Sequence, residues 1–259
     1  MQDNYIYGKR YTKEMFKGRQ VHEALQKEAY IPLIIEPVTY ADTMYKTAYE
    51  NVMSLKSLKT KKLCREFRIY GSVNGYRISG VIDEMRIQDG KVVVIENKTR
   101  ESPKPVNPES TRPHIVQVML YRKMIGDIKA KRYTFENLDA AYGIRRAKLS
   151  EQFERELNAL GIKDGLRTAE ELYRVMFSEI ESLPELSDNL ELHYLDRYSG
   201  SQIANIGVKY EDNLINQDLV YAMKYWNGER NAEPVPEKEK WKCNFCKFFG
   251  KECTVWWQQ

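Results

Sequence analysis

The chain reads as a mixed α/β (α+β) protein in which a short antiparallel meander is set among helices. Between Glu66 and Lys98, three runs rich in β-branched and aromatic residues are divided by Asn74-Gly75 and Asp89-Gly90. Those pairs supply the positive φ angles that a two-residue turn between twisted strands needs. On both sides of the meander, apolar residues recur at helical spacing. The strands are expected at about 66–73, 76–87 and 91–98.

Taken in order, Phe16–Ala29 reads as a helix with Val21, Leu25 and the Phe16 side as its apolar stripe. Pro32–Val38 reads as a buried strand, and 41–55 as a helix carrying Met44, Tyr45, Ala48 and Val52. After the meander, 101–113 holds Pro103, Pro105, Pro108 and Pro113, so no regular element is expected there. A helix then starts on Pro113, which suits a first turn, and carries Gln117 and Tyr121 on one face. Residues 134–160 and 166–182 read as helices, the second striped by Leu172, Val175 and Met176. Leu190–Tyr198 and Gln202–Tyr210 read as strands around a Ser199-Gly200-Ser201 turn. A helix at 213–226 ends at a capping Gly228, and a charged linker leads to a cysteine-rich end. This organisation predicts one domain, 1–259, with an N-terminal helical region at 1–62, a core at 63–126, distal helices and hairpin at 127–230, and a tail at 231–259.

At 259 residues with 42% hydrophobic and 12% aromatic content, the chain suits a globular protein with a sizeable core. Lys plus Arg is 41 against 37 Asp plus Glu, and a net charge of +4 does not by itself announce a nucleic-acid binder. The cations are nonetheless clustered, in one run from Lys56 to Arg68 and another from Arg122 to Arg132. No apolar stretch approaches the roughly 18–20 residues of a membrane span. The first residues lack the features of a signal or transit peptide. Three of the four cysteines, Cys243, Cys246 and Cys253, are spaced C-x2-C-x6-C, which is ligand spacing and implies a reducing compartment. Zinc and an iron–sulfur cluster both suit three cysteines interleaved with aromatics.

The meander carries polar residues where a core strand should be apolar. Glu96 and Lys98 share a face of the third strand with Val92 and Val94. Asp83 follows Val81-Ile82 on the neighbouring strand. Carboxylates amid such runs demand partners. Two oxygen ligands and a lysine suit metal-dependent phosphodiester hydrolysis: Asp83 and Glu96 would hold a hard divalent cation, and Lys98 would orient a water or stabilise charge. Gln117 and Tyr121 complete the candidate catalytic set from the next helix, within reach of a phosphate or of Lys98.

The ordered set Gly80-Val81-Ile82-Asp83, Glu96-Asn97-Lys98 and Gln117-x3-Tyr121 resembles the PD-(D/E)xK nuclease superfamily, in its RecB-type branch. The resemblance implies a restriction-endonuclease-like core, a central mixed sheet flanked by helices. It also gives Gly18-x3-His22 a role, with His22 joining Asp83 and Glu96 as metal ligands. With the terminal cysteines added, the chain is similar to the exonuclease V family, eukaryotic single-strand DNA exonucleases that carry a [4Fe–4S] cluster. The matching residues are Arg65-Glu66-Phe67, Gly80-Val81-Ile82-Asp83-Glu84, Lys98-Thr99-Arg100, Tyr225-Trp226-x-Gly228 and Trp241-Lys242-Cys243, from about Tyr7 onward.

What this implies is a metal-dependent single-stranded DNA exonuclease of DNA repair or genome maintenance, using Mg2+ or Mn2+, in nucleus or mitochondrion. Single-stranded DNA and a single-strand-binding protein would be its partners; it would be a monomer away from membranes. The proline-rich 101–113 would be a flap over the DNA path, with Arg100 and His114 as phosphate contacts. Cys243, Cys246 and Cys253 would hold the cluster and staple the C terminus to the N-terminal helices. Two departures stand out. The family's last cysteine spacing is one residue shorter, and its first cluster cysteine lies upstream of the segment that begins near Tyr7. Cys64 is the remaining cysteine; either it substitutes, another ligand or an incomplete cluster is present, or the chain is N-terminally short. Two alternatives are a catalytically silent single-stranded DNA-binding module and a CRISPR-adaptation nuclease, which shares the cysteine plan.

Overall fold

Both tight turns form as expected. Asn74-Gly75 adopts φ 51° and 81°, and Asp89-Gly90 adopts 49° and 73°, the left-handed pairs that let adjacent strands keep their twist. The computed structural model describes residues 13–101, 108–162 and 168–253. Pro103 and Pro105 of the expected flap, and Tyr7 at the start of the family match, lie outside the described residues.

The meander is β1 (Leu63–Val73), β2 (Tyr76–Gln88) and β3 (Lys91–Arg100), somewhat longer than the sequence suggests. Two later strands, β4 (Asn189–Asp196) and β5 (Gln202–Lys209), extend it to a five-stranded sheet of order β1-β2-β3-β4-β5. The β3–β4 pairing is parallel and the others antiparallel, so the sheet is mixed. Helices flank it: α1 (Lys13–Ala29), α2 (Tyr40–Lys61), α3 (Pro108–Lys129), α4 (Phe135–Tyr142), α5 (Glu151–Ala159), α6 (Ala169–Glu181) and α7 (Asp212–Trp226). The fold is therefore mixed α+β, with a central sheet flanked by helices. The core is continuous: α2 packs on β1 and α6, and α3 runs along β1, β3 and β4. Leu55, Leu58, Phe67, Ile69, Met124 and Tyr173 are fully buried within it.

Three local expectations are corrected. Pro32–Val38 is not a strand. Its Leu33 and Ile35 are buried, but α2 side chains take its backbone groups in place of a ladder. Glu50 accepts from Leu33 N (3.2 Å), Asp42 accepts from Val38 N (3.2 Å), and Lys46 donates to Ile35 O (2.9 Å). Secondly, 134–160 is not one helix. Gly143, at φ 66°, donates to Asp139 O and caps α4, and α5 begins anew behind the N-cap Ser150. Thirdly, α3 begins at Pro108, not Pro113. Pro108 occupies the first helical position, whose N–H has no intrahelical partner, so Pro113 falls inside the helix and leaves one helical bond unmade.

Candidate active site

The candidate residues gather where two strands part company. Glu84 pairs with Ile95, so the register sets Asp83 opposite Glu96, yet the β2–β3 ladder stops there. Asp83 Oδ2 accepts the Asn97 N–H at 2.8 Å, a side chain standing in for a backbone carbonyl. From Ile95 onward β3 instead pairs with β4, opening a fork with Asp83 and Glu96 in its crotch.

Lys98 lies one pleat further along β3 and donates to Glu96 Oε1 and, at 3.3 Å, to Gln117 Oε1. Gln117 Nε2 in turn donates to Tyr121 Oη at 3.0 Å. The predicted helix pair thus reaches the lysine, one residue directly and the other through it. Gly80 makes this possible: a Cβ there would lie 2.6 Å from Tyr121 Cε1. Gly18 does the same for α1, since a Cβ would lie 3.0 Å from Thr99 Oγ1. Close approach at Gly18 brings His22, one turn on, to the fork; its Nδ1 lies 3.7 Å from Asp83 Oδ1.

Glu66, absent from the predicted site, is also there. Its Oε1 lies 2.8 Å from His22 Nδ1, and one ligand atom from each of His22, Glu66 and Asp83 falls within 4.8 Å of the others. Glu66 adopts φ 49° in mid-strand, a conformation that costs a non-glycine residue about 1–2 kcal/mol. A sequence signal exists. Glu66 stands as far before Asn74 as Asp83 stands after Gly75, so the hairpin register sets them opposite each other.

Burial shapes the electrostatics. Asp83 is pushed up to about 8, by desolvation first and the Glu96 carboxylate second. Glu96 is also raised, by desolvation, against the pull of Lys98. The hydrogen bond that His22 makes to the Glu66 carboxylate raises the imidazole. Tyr121 is pushed up to about 12 by burial and stays a neutral phenol. Glu96 is 1% exposed, and among the described residues no hydrogen-bond donor reaches its Oε2. A buried carboxylate oxygen without a donor, beside a second carboxylate held close to protonation, is an environment that a divalent cation would relieve. The donor set of carboxylate oxygens with one imidazole fits Mg2+ or Mn2+.

Behind the fork, the family-motif residues Arg65 and Glu84 form a buried ion pair. Arg65 also donates to Glu28 at 3.1 Å, and Asn97 Nδ2 donates to Glu84 at 3.2 Å. Beside Lys98, His114 and Arg100 meet around Tyr194. His114 Nδ1 is 3.1 Å from the Tyr194 hydroxyl, and the Arg100 guanidinium is 5.7 Å from its ring centre. Much of both basic runs is engaged internally: Arg122 with Asp188, Lys123 with Asp212, Arg132 with Asp127, and Lys59 with Glu179.

The cysteines separate. Cys243, Cys246 and Cys253 lie in one turn-rich segment: Cys246 N donates to Cys243 O, and a parallel bridge joins Phe249 and Cys253. Among the described residues, their sulfurs do not converge to within 4.8 Å of one another. Cys64 sits in the core, 0% exposed, 3.0 Å from Ser54 Oγ, and burial pushes its thiol up to about 12. Metal ligands are thiolates, and in this setting Cys64 packs as a small core residue beside Ser54.

A family model described as "Exonuclease V - a 5' deoxyribonuclease" matches the chain in three segments, 4–91, 86–174 and 162–258. An exonuclease V from Danio rerio is 26% identical over 248 residues, covering 92% of this chain and 60% of that relative. The chain therefore spans about three-fifths of the relative's length. The matched segments carry the fork residues, the Gln117–Tyr121 pair and the three terminal cysteines alike, and on that coverage the chain belongs to the exonuclease V family.

Proposed function

We propose that this chain is a metal-dependent exonuclease of the PD-(D/E)xK type that hydrolyses phosphodiester bonds of single-stranded DNA from a 5′ end. The observation that carries the reading is the convergence of Asp83, Glu96 and Lys98 at the strand fork, with Lys98 tied to Gln117. Asp83, Glu96 and His22 would hold Mg2+ or Mn2+. When bound, such an ion polarises the scissile phosphate and lowers the pKa of a nearby water.

The chain's own residues do the rest. Lys98 presents an ammonium to the attacking water and to the charge that develops on the phosphate. Gln117 and Tyr121 hold Lys98 in place, acting through it. Arg100 and His114 flank Lys98 and would take the neighbouring phosphate. The tail cysteines Cys243, Cys246 and Cys253 would bind a [4Fe–4S] cluster, with zinc as the alternative, and a fourth ligand other than Cys64. A repair or genome-maintenance role in nucleus or mitochondrion, as a monomer working beside a single-strand-binding protein, completes the reading.

The test uses linear single-stranded DNA labelled at either end, the same strand circularised, and Mg2+. The wild-type chain should shorten the linear strand from its 5′ end and leave the circle intact, and Asp83→Ala should cleave neither substrate. Tight binding without cleavage would instead favour the silent binding module. Cutting of the circle would remove the end dependence.

A further inference from the structure

The apolar stripe that the sequence sets along α1 does not end in the core. Val21 and Leu25 are only half-buried and Ala24 is exposed. Together they form one wall of an open groove of about 540 Å³, and the β4–β5 turn forms the other, from Arg197 to Gly200. His22 lines a separate cavity, on the flank of α1 that faces the fork. A helix in a globular protein turns such a stripe inward, and an apolar surface left open beside charged residues marks a binding site.

The facing wall is built to display one aromatic ring. Asp196 Oδ1 accepts from Tyr198 N at 3.0 Å and from Ser199 N at 2.7 Å, which fixes the turn. Glu101 accepts the Tyr198 hydroxyl at 3.1 Å and pairs with Arg197 at 2.8 Å, which fixes the far end of the ring. Tyr198 is thus held at both ends and is still 65% exposed. A ring ordered in advance stacks a base without a further ordering cost. The Lys17 ammonium lies 4.2 Å over the ring centre and, among the described residues, pairs with no carboxylate.

The groove is also joined to the fork. Arg197 N donates to Arg100 O at 2.9 Å, so the turn is stitched to the end of β3. Glu96 and Arg100 are separated by about 13 Å of that strand, at ~3.3 Å per residue. A strand whose scissile phosphate rests at Glu96 and Lys98 passes Arg100 and then meets Tyr198. We infer that the groove between α1 and the β4–β5 turn is a nucleobase subsite, where a base of the bound single strand stacks on Tyr198 and its phosphate meets Lys17. Val21 and Leu25 would cover the apolar edge of that nucleotide. The inference deepens the nuclease reading and rests on it, because the strand arrives from the fork. A peptide laid on the α1 stripe would use Val21 and Leu25 but has no need of a cation beside a bare ring face.

The test uses the full chain carrying Asp83→Ala, which should not cut, and oligothymidylate strands that each hold 2-aminopurine at one successive position. Stacking quenches that base. One position should be quenched well beyond its neighbours. Adding Tyr198→Leu should abolish that quench alone and weaken binding about 5- to 150-fold, the range of one lost stack. Tyr198 is exposed, so the fold tolerates its truncation. Tyr198→Phe keeps the π-face and should keep the quench. An abasic residue at the quenched position should weaken binding as much as Tyr198→Leu does, and the two together should cost no more than either alone. A quench that Tyr198→Leu leaves in place, or additive losses, would overturn the subsite and leave the nuclease reading standing. No binding of any strand would overturn both.

Discussion

Gly80 lies against the phenol ring of Tyr121, so close that a Cβ at Gly80 would meet Cε1 at 2.6 Å and the hydroxyl at 2.7 Å. Tyr121 receives Gln117, and Gln117 receives Lys98. Gly80→Ala should therefore push the ring away and loosen the lysine two hydrogen bonds downstream. The expected outcome is a loss of stability on the order of 1–3 kcal/mol. Cleavage should fall at least about tenfold, the scale on which a misplaced group slows chemistry. Mn2+ affinity should stay unchanged, because no ligand moves. Calorimetric melting and a single-stranded DNA assay check the two halves; Mn2+ affinity falling in step with activity would mean the glycine serves the ligands instead.

Arg65 and Glu84 make a different case, since the pair is buried behind the fork and touches no candidate ligand directly. Arg65→Met should leave Glu84 with Arg86 and Asn97 as its remaining partners. Removing one member of such a pair typically costs about 3–5 kcal/mol, and the surviving partners place the expected loss near the lower bound. Double replacement by Arg65→Met with Glu84→Gln should recover some of that stability. A denaturant titration of the three variants measures this, and no recovery in the double variant would show that the charges do not act as a pair.

How far the sequence carried varies by element, for physical reasons. The hairpins were legible because Asn-Gly and Asp-Gly fix both turn and register locally. That Asp83, Glu96, Lys98, Gln117 and Tyr121 meet was legible from their ordered set, since carboxylates after apolar runs demand partners and Gln117 and Tyr121 stand at i and i+4. Glu66 left one trace, its hairpin register opposite Asp83, but its role depends on a left-handed backbone at one strand position, which local propensity does not encode. Pro32–Val38 has strand composition, but whether a ladder partner is free depends on tertiary packing, and α2 had claimed its backbone groups. Gly143 was the local clue to the broken helix, and the periodicity on either side masked it.

The buried carboxyls couple cation binding to pH. Asp83 is carried from an ordinary value near 3.8 to about 8, by burial first and Glu96 second. Its folded value exceeds its unfolded one, so folding takes up a proton. The associated stability is complete below about pH 4 and lost as pH rises through about 8. The metal-free chain should thus melt at a lower temperature at about pH 9 than at about pH 6, more so than Asp83→Asn. A cation displaces that proton, so Mn2+ affinity should climb about tenfold per pH unit below about pH 8. Melting and Mn2+ titration across that window test it, and a flat affinity would mean that the carboxyl is already ionised without metal.

The two kinds of cysteine should differ in what substitution does to metal content. Cys64 is enclosed by the core beside Ser54, its thiol raised by burial, and ligands bind as thiolates. Cys64→Ala should cost about 1 kcal/mol, through a lost contact and a small void, and should leave the iron or zinc content of anaerobically purified protein unchanged. Cys243 lies in the turn-rich tail with Cys246 and Cys253. Cys243→Ala should lower that metal content and the melting temperature together, because metal binding is folding free energy. Elemental analysis beside thermal melting separates the cases. Metal content that falls with Cys64→Ala would return Cys64 to the ligand set, and its burial would then have to be relieved by movement of β1 away from Ser54.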